Sequence, residues 1–261
     1  MRKTKPRESV SSAAPAAALT TRAVAPRTVP TRLNGTRVHA SVANEIGFRI
    51  VRGDYPPGTI LPNEAQWSEM FKVSRSVVRE AIKMLMAKSL LSSRPKIGSW
   101  VEPRERWNLL DRDVLGWYAN SPNRDSFLKT VQEFRYIIEP EATAMAAVRR
   151  SDEQMAVISE ACRIMGTAHS LTERTDADTR FHLEILRASG NDLLVPLGVL
   201  IESALGHLFV FVTREVNDLR HAQTLHEDIE KAVRLKRPEA ARKAVRRLLA
   251  NTDEIVLRAR L

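Results

Sequence analysis

Asp178 and His182 stand four residues apart in a helical pattern, and His226 follows in a later one. Carboxylate and imidazole are suitable donors for a divalent metal such as zinc, and three of them leave coordination positions for water or an anionic ligand. Residues four apart share a helix face, and Phe181 and Ile185 make that face apolar, so the pair points inward; His226 has Ile229 and Val233 on its side. Polar groups in a core stripe need partners, so the trio reads equally as satisfied core histidines, and without a tight motif the spacing leaves both readings open. A second group has different chemistry. Arg75, Arg79 and Lys83 stack at every fourth residue, while Val78, Ala81, Ile82 and Leu85 make a buried stripe. Such a basic helix can enter the DNA major groove with its first residues, Ser74, Arg75, Ser76 and Arg79, on base edges. The plainer alternative is a surface helix with solvated arginines.

The flanking elements favour the DNA reading. Asn63 caps a first helix, with Gln66 completing a capping box, and Ser74 caps the second after a turn at Lys72-Val73. Upstream, Val38, Val42, Ile46 and Ile50 predict a helix ending at Arg52-Gly53, before Asp54-Tyr55-Pro56-Pro57-Gly58 forces a turn. Downstream, Leu90 to Arg94 and Ser99 to Val101 form strands around Pro95-Lys96-Ile97-Gly98. The basic tip of this hairpin, Arg94, Lys96 and Gly98, suits contact with backbone or minor groove. Together these elements predict a winged helix-turn-helix.

The net charge of +10 is uneven: residues 1–37 carry +7, residues 38–104 carry +4 and residues 105–261 carry −1. A basic end joined to a neutral half fits a nucleic-acid-binding module attached to a domain with another task. The single Cys162 excludes an intrachain disulfide and a cysteine-rich zinc finger, implies a reducing, cytoplasmic location and reads as a small buried hydrophobe. No apolar run approaches the ~18 residues of a membrane span. Residues 1–35, rich in Ala, Pro, Ser, Thr and Arg, are expected to be a disordered basic tail, without the apolar segment of a secretory signal. The remaining divisions are a DNA-binding domain at 36–104, a linker helix at 105–122 and an all-α domain with another task at 123–261. In the linker, Trp107, Leu110, Val114 and Trp117 share one side. Beyond it, helical patterns run over 124–150, 151–166, 175–188, 192–219, 223–235 and 238–259, so the fold is mainly α, a winged module followed by an all-α bundle.

The run Gly53 to Pro62, with Glu64, Val73-Ser74-Arg75 and Val78-Arg79-Glu80-Ala81, resembles the N-terminal domain of GntR-family bacterial transcription regulators. By that resemblance Arg75, Arg79 and the tip Lys96 to Gly98 contact an operator; one departure is Ala65, where several relatives carry arginine. Phe134-Arg135 with Glu139, Asp178 to His182, Ala188-Ser189-Gly190-Asn191 and His226 resemble the ligand-sensing domain of the FadR-like branch (FCD domain). The resemblance implies Asp178, His182 and His226 as ligands of a divalent metal, zinc for example, together with a last-helix histidine. That last position is Leu248 here. It also makes Arg135, with the same trio, an effector site, a guanidinium matching a carboxylate in a two-bond fork. Trp107 to Trp117 and Met86-Ala87-Lys88 are similar to repressors of sugar-acid catabolism. The expected protein is a homodimeric, non-enzymatic repressor, released from a palindromic operator in double-stranded DNA by a galactonate-like sugar acid or another small carboxylate. The alternatives are a metal-dependent hydrolase using the trio, which has no paired nucleophile or general base, and an effector-independent architectural DNA-binding protein.

Overall fold

A computed structural model describes residues 33–212 and 216–258. The tail predicted over 1–35 lies outside the described residues as far as residue 32, and helix α1 (Leu33–Arg52) takes in its last positions. Val42, Ile46 and Ile50 of α1 are buried, and the helix stops where Gly53 adopts a φ of +99°, a conformation open to glycine without a Cβ penalty.

Local hydrogen bonds delimit the next two helices. Asn63 Oδ1 accepts from the Gln66 N–H at 3.0 Å and Gln66 Oε1 from the Asn63 N–H at 2.8 Å, closing the capping box of α2 (Glu64–Phe71). Ser74 Oγ accepts from the Val77 N–H and starts α3 (Arg75–Ala87). Val78, Ala81 and Leu85 of α3 are fully buried, and Trp67 of α2 stacks on Phe71 with ring centroids 5.2 Å apart. The strands β1 (Leu91–Arg94) and β2 (Gly98–Val101) pair antiparallel, Leu91 opposite Val101 and Arg94 opposite Gly98. An isolated bridge from Ile60 to Trp100 ties this wing to the segment before α2.

The bundle comprises α5 (Arg124–Arg149), α6 (Asp152–Thr167), α7 (Leu171–Ala188), α8 (Gly198–Val212), α9 (Val216–Arg234) and α10 (Pro238–Arg258), behind a linker helix α4 (Arg112–Ala119). Four helix limits differ from the periodicity, one of them the end predicted at 219, since α8 ends at Val212 and 216–219 belong to α9. Ser170 caps α7 through the Glu173 N–H, so the helix starts at Leu171, four residues before the predicted start at 175. Turns follow Gly190, at a φ of +66°, so α8 begins at Gly198 and not at 192. A Cβ on Gly198 would lie 2.4 Å from Leu183 Cδ2, so the glycine lets α8 approach α7 closely. Helix α9 begins at Val216, which places His226 inside it and not at its first turn. Among the described residues no helix is long and apolar enough to cross a membrane.

Cys162 is buried in the bundle core. Burial, aided by the charges of Glu230 and Glu227, pushes its thiol up to about 12. The thiolate is the nucleophile and forms only as the pH nears that value, so iodoacetamide at pH ~8 is expected to leave Cys162 unmodified until denaturant is added. Mass spectrometry of the native protein would refute this by finding rapid alkylation.

Helix α4 joins the two halves. Trp107, Val114 and Trp117 are buried as predicted, but Leu110 is 41% exposed, because it lies in the turn before α4 where helical spacing does not apply. The Asp111 carboxylate caps α4 through the Asp113 and Val114 N–H groups and accepts from Lys88 Nζ, at the C-terminus of α3, at 2.8 Å. Asp113 lies 2.8 Å from the same Lys88, and Arg112 pairs with Glu202 of α8 at 2.7 Å. On the other side a Cβ at Gly47 of α1 would lie 2.3 Å from the Trp117 ring. Alanine gains about 1 kcal/mol of helix propensity over glycine, and overpacking costs about 1–3 kcal/mol. We therefore expect Gly47→Ala to lower the melting temperature; an unchanged value would mean that the ring moves aside freely.

Candidate functional site

Ser74, Arg75 and Ser76 are exposed together at the N-terminus of α3, with Ser74 Oγ and Ser76 Oγ 2.8 Å apart. Arg79 is exposed as well, but its Nε and Nη2 donate to Glu64 of α2 at 2.9 and 2.7 Å. This fork holds the Glu64 carboxyl below its usual range. Arg94, Lys96 and Gly98 occupy the exposed end of the hairpin, where Lys96 and Gly98 have φ of +69° and +97°. The Arg94 guanidinium lies 5.7 Å from the Trp100 ring centroid.

The second cluster is in the bundle. Helix α7 presents Asp178 and His182, α9 presents His226, and all three are buried with their ligand atoms within 4.8 Å of one another. Asp178 Oδ1 is 2.8 Å from His226 Nε2 and 3.8 Å from His182 Nε2. His226 Nδ1 faces the Ala222 carbonyl at 2.7 Å; a carbonyl only accepts, so Nδ1 carries the hydrogen and a neutral ring turns a lone pair outward at Nε2. His182 Nδ1 faces Glu139 Oε2 at 3.0 Å, which fixes the same tautomer. With both rings neutral and their hydrogens on Nδ1, neither Nε2 donates a hydrogen bond; a protonated His226 would instead donate to Asp178 Oδ1 across the 2.8 Å. Burial disfavours the Asp178 charge, but the positive charge that His226 and His182 carry when protonated, with Arg135 nearby, more than offsets this and keeps its carboxyl below the usual range.

When both rings are neutral, two buried lone pairs and a carboxylate oxygen converge with no hydrogen atom between them. A cation satisfies that arrangement, and the Glu139 carboxylate behind His182 is the outer partner that metal-bound imidazoles use. The donor set therefore fits a divalent metal with three protein ligands, and Leu248 of α10 lines the same cavity.

Arg135 lies on α5, 1% exposed, with its Nε donating to Glu139 Oε1 at 2.5 Å and Nη1 to Gln132 Oε1 at 3.4 Å. Burial alone would raise the Glu139 carboxyl, but Arg135 and His182 bring it down to about 2. The predicted effector anchor thus lines the cavity with its charge already neutralised. Two lining residues were absent from the sequence reading. Arg174 donates through Nη1 to the Met165 carbonyl at 2.5 Å and through Nη2 to the Leu219 carbonyl at 3.1 Å, and its Nε is buried without a partner. Asn251 is 9% exposed, and its Nδ2 is likewise unpaired. Their signal in the sequence was position: Arg174 precedes Asp178 by one turn, and Asn251 follows Leu248 by nearly one. The cavity volume is about 50 Å³.

Residues 39–101 match the family of bacterial regulatory proteins, gntR family, and residues 130–251 match the FCD domain. The galactonate operon transcriptional repressor of Escherichia coli (strain K12) is 32% identical over 210 residues, 79% of this chain and 91% of that protein. The chain belongs to the gntR family of bacterial regulatory proteins. Another similar gntR-type relative is YieP, an uncharacterized HTH-type transcriptional regulator of the same bacterium, 33% identical over 216 residues, 82% of this chain and 93% of that protein. Among solved structures, that of Lar, which controls the expression of the Listeria monocytogenes agr system, superposes with a TM-score of 0.56 at 21% identity. It covers 85% of this chain and 97% of that one, a likeness of fold. As a gntR-family regulator the chain carries its DNA-binding helix-turn-helix in the N-terminal module and an FCD domain around Arg135, Asp178, His182 and His226.

Proposed function

We propose that this regulator is a homodimeric repressor that grips a palindromic operator and releases it when a small carboxylate, of the sugar-acid and galactonate-like kind, enters the FCD cavity. Ser74, Arg75, Ser76 and Arg79 face base edges, and Arg94, Lys96 and Gly98 of the wing track the backbone. Two copies are needed because two recognition helices meet two half-sites on one duplex. Asp178, His182 and His226 hold a divalent cation whose open coordination positions take effector oxygens.

The observation that carries this reading is the set of unsatisfied ligand atoms in a small cavity of about 50 Å³. One water claims about 30 Å³ of liquid, so a sugar acid does not fit the cavity in this arrangement. Its binding must favour an expanded one, and a differential affinity of about 1–3 kcal/mol suffices for typical coupling. Helix α4 is placed to transmit the change, since Arg112 pairs with Glu202 on the bundle side, while Asp111 and Asp113 hold Lys88 at the end of α3.

The test is a mobility-shift titration of the DNA upstream of the protein's own gene, with and without D-galactonate and with and without chelator. Release by the acid is expected, weakened by chelator, and occupancy indifferent to sugar acids would refute an inducible repressor. Replacing Trp107 and Trp117 together by Ala is expected to leave DNA bound but unresponsive; an intact response would exclude the linker as the route.

A further inference from the structure

The tip of the wing carries an aliphatic side chain among cations. Pro95 and Lys96, the latter at a φ of +69°, close a turn in which the Ile97 N–H donates to the Arg94 carbonyl at 3.2 Å, and Gly98 follows at +97°. The turn is braced: the Leu61 N–H donates to the Ser99 carbonyl at 2.8 Å and the Val101 N–H to the Thr59 carbonyl at 3.0 Å, so the segment before α2 runs beside β2. Ile97 therefore stands on a fixed support, yet it is 53% exposed. Neither Arg94 nor Lys96 forms an ion pair among the described residues, and Arg94 lies over the Trp100 ring instead. One aliphatic and two unpaired cationic side chains on a rigid tip fit a negatively charged recess about one side chain wide, which the DNA minor groove is.

We infer that Ile97 enters the minor groove beside the bases read by α3 and selects A·T over G·C pairs there by rejecting the guanine N2 amine. The inference rests on the reading of the wing as a DNA-contacting element and adds base selection to its backbone contacts. In the minor groove an A·T pair presents acceptors alone, whereas a G·C pair adds the amine, a donor on the groove floor. Arg94 and Lys96 only donate, and Ile97 neither donates nor accepts, so no side chain at the tip can accept from that amine. Pressed against the Ile97 methyl groups, the amine would lose its water and gain no partner. Over A·T pairs the same cations meet acceptors, in a groove whose narrowness deepens the negative potential. The two grooves are thus divided between two elements, the major groove to α3 and the minor groove to Ile97.

The experiment is selection of binding sites from a randomised duplex library by the full-length protein, by Ile97→Val and by Ile97→Ser. Both substitutions fall on an exposed side chain, and matching melting temperatures would show the fold intact. Wild type and Ile97→Val are expected to enrich A·T pairs at a position flanking the pairs read by α3. Ile97→Ser, whose hydroxyl can accept from the amine, is expected to lose that preference while enriching the same α3-contacted pairs. In the selected site, diaminopurine in place of adenine adds the minor-groove amine and leaves the major-groove edge unchanged. At the flanking position it is expected to weaken wild-type binding by about tenfold, as an unsatisfied donor implies, and to leave Ile97→Ser nearly unaffected. Where a G·C pair is placed there instead, inosine for guanine should restore wild-type binding. A penalty equal in wild type and Ile97→Ser would assign the preference to groove width and overturn the inference, as would a selected site with no preference outside the α3 contacts. The two readings fail separately. A palindrome without an Ile97-dependent A·T preference leaves the homodimeric repressor and removes the minor-groove role, and that preference in a single unrepeated site does the reverse.

Discussion

Changing Arg75 and Arg79 together to alanine is expected to weaken binding to the upstream DNA by about 2–6 kcal/mol, since a bidentate guanidinium on a base is worth about 1–3 kcal/mol. In affinity this is a loss of about 30-fold to 10⁴-fold. The Glu64–Arg79 fork does not stand in the way. Both side chains are more than a third exposed, and such pairs contribute about 0–1 kcal/mol, so Arg79 can exchange the carboxylate for a base edge at little cost. Meanwhile Glu64 holds Arg79 in one orientation. If both arginines read bases, the loss falls on the operator and leaves binding to unrelated DNA less affected; if they touch phosphates, both weaken and the salt slope falls by about 2. Fluorescence anisotropy on the two DNAs at several salt concentrations separates these cases. Wild-type affinity in the double variant would remove α3 from the interface.

The second large effect belongs to Glu139. Substituting Glu139→Gln leaves Arg135 charged and 1% exposed, with both of its hydrogen bonds to that side chain weakened. Breaking a buried pair by removing one partner costs about 3–5 kcal/mol, several times the figure for an exposed pair. His182 also loses a charged acceptor at Nδ1, so its tautomer is no longer fixed. The variant should unfold at markedly lower urea, and Arg135→Met combined with Glu139→Leu should recover much of the stability, because apolar replacements leave no charge behind. A single variant as stable as wild type would show that water reaches Arg135 and that the pair is not sealed in the core.

Much of the winged module was legible because its determinants are local. Asn63, Gln66 and Ser74 act on N–H groups three residues away, and the stripe of Val78, Ala81 and Leu85 is set by the pitch of one helix. Gly53, Lys96 and Gly98 stop or turn the chain through their own φ angles. Likewise the inward position of Asp178 and His182 follows from their spacing on α7. Where the chain leaves helical geometry the periodicity misleads, as with Leu110 before α4 and the turns before Gly198.

Residue order alone was enough to read which residues share a helix face, where α2 and α3 are capped and that a basic winged module precedes a neutral all-α half. The tertiary structure decided which faces meet. It set Arg79 against Glu64, His226 against Asp178 at 2.8 Å, Trp117 against Gly47, and Arg174 and Asn251 around one cavity. The reason is that periodicity fixes a side chain's angle about its own helix axis. The height and rotation at which two helices dock depend on how the side chains of both interlock, a property of residue pairs far apart in the chain.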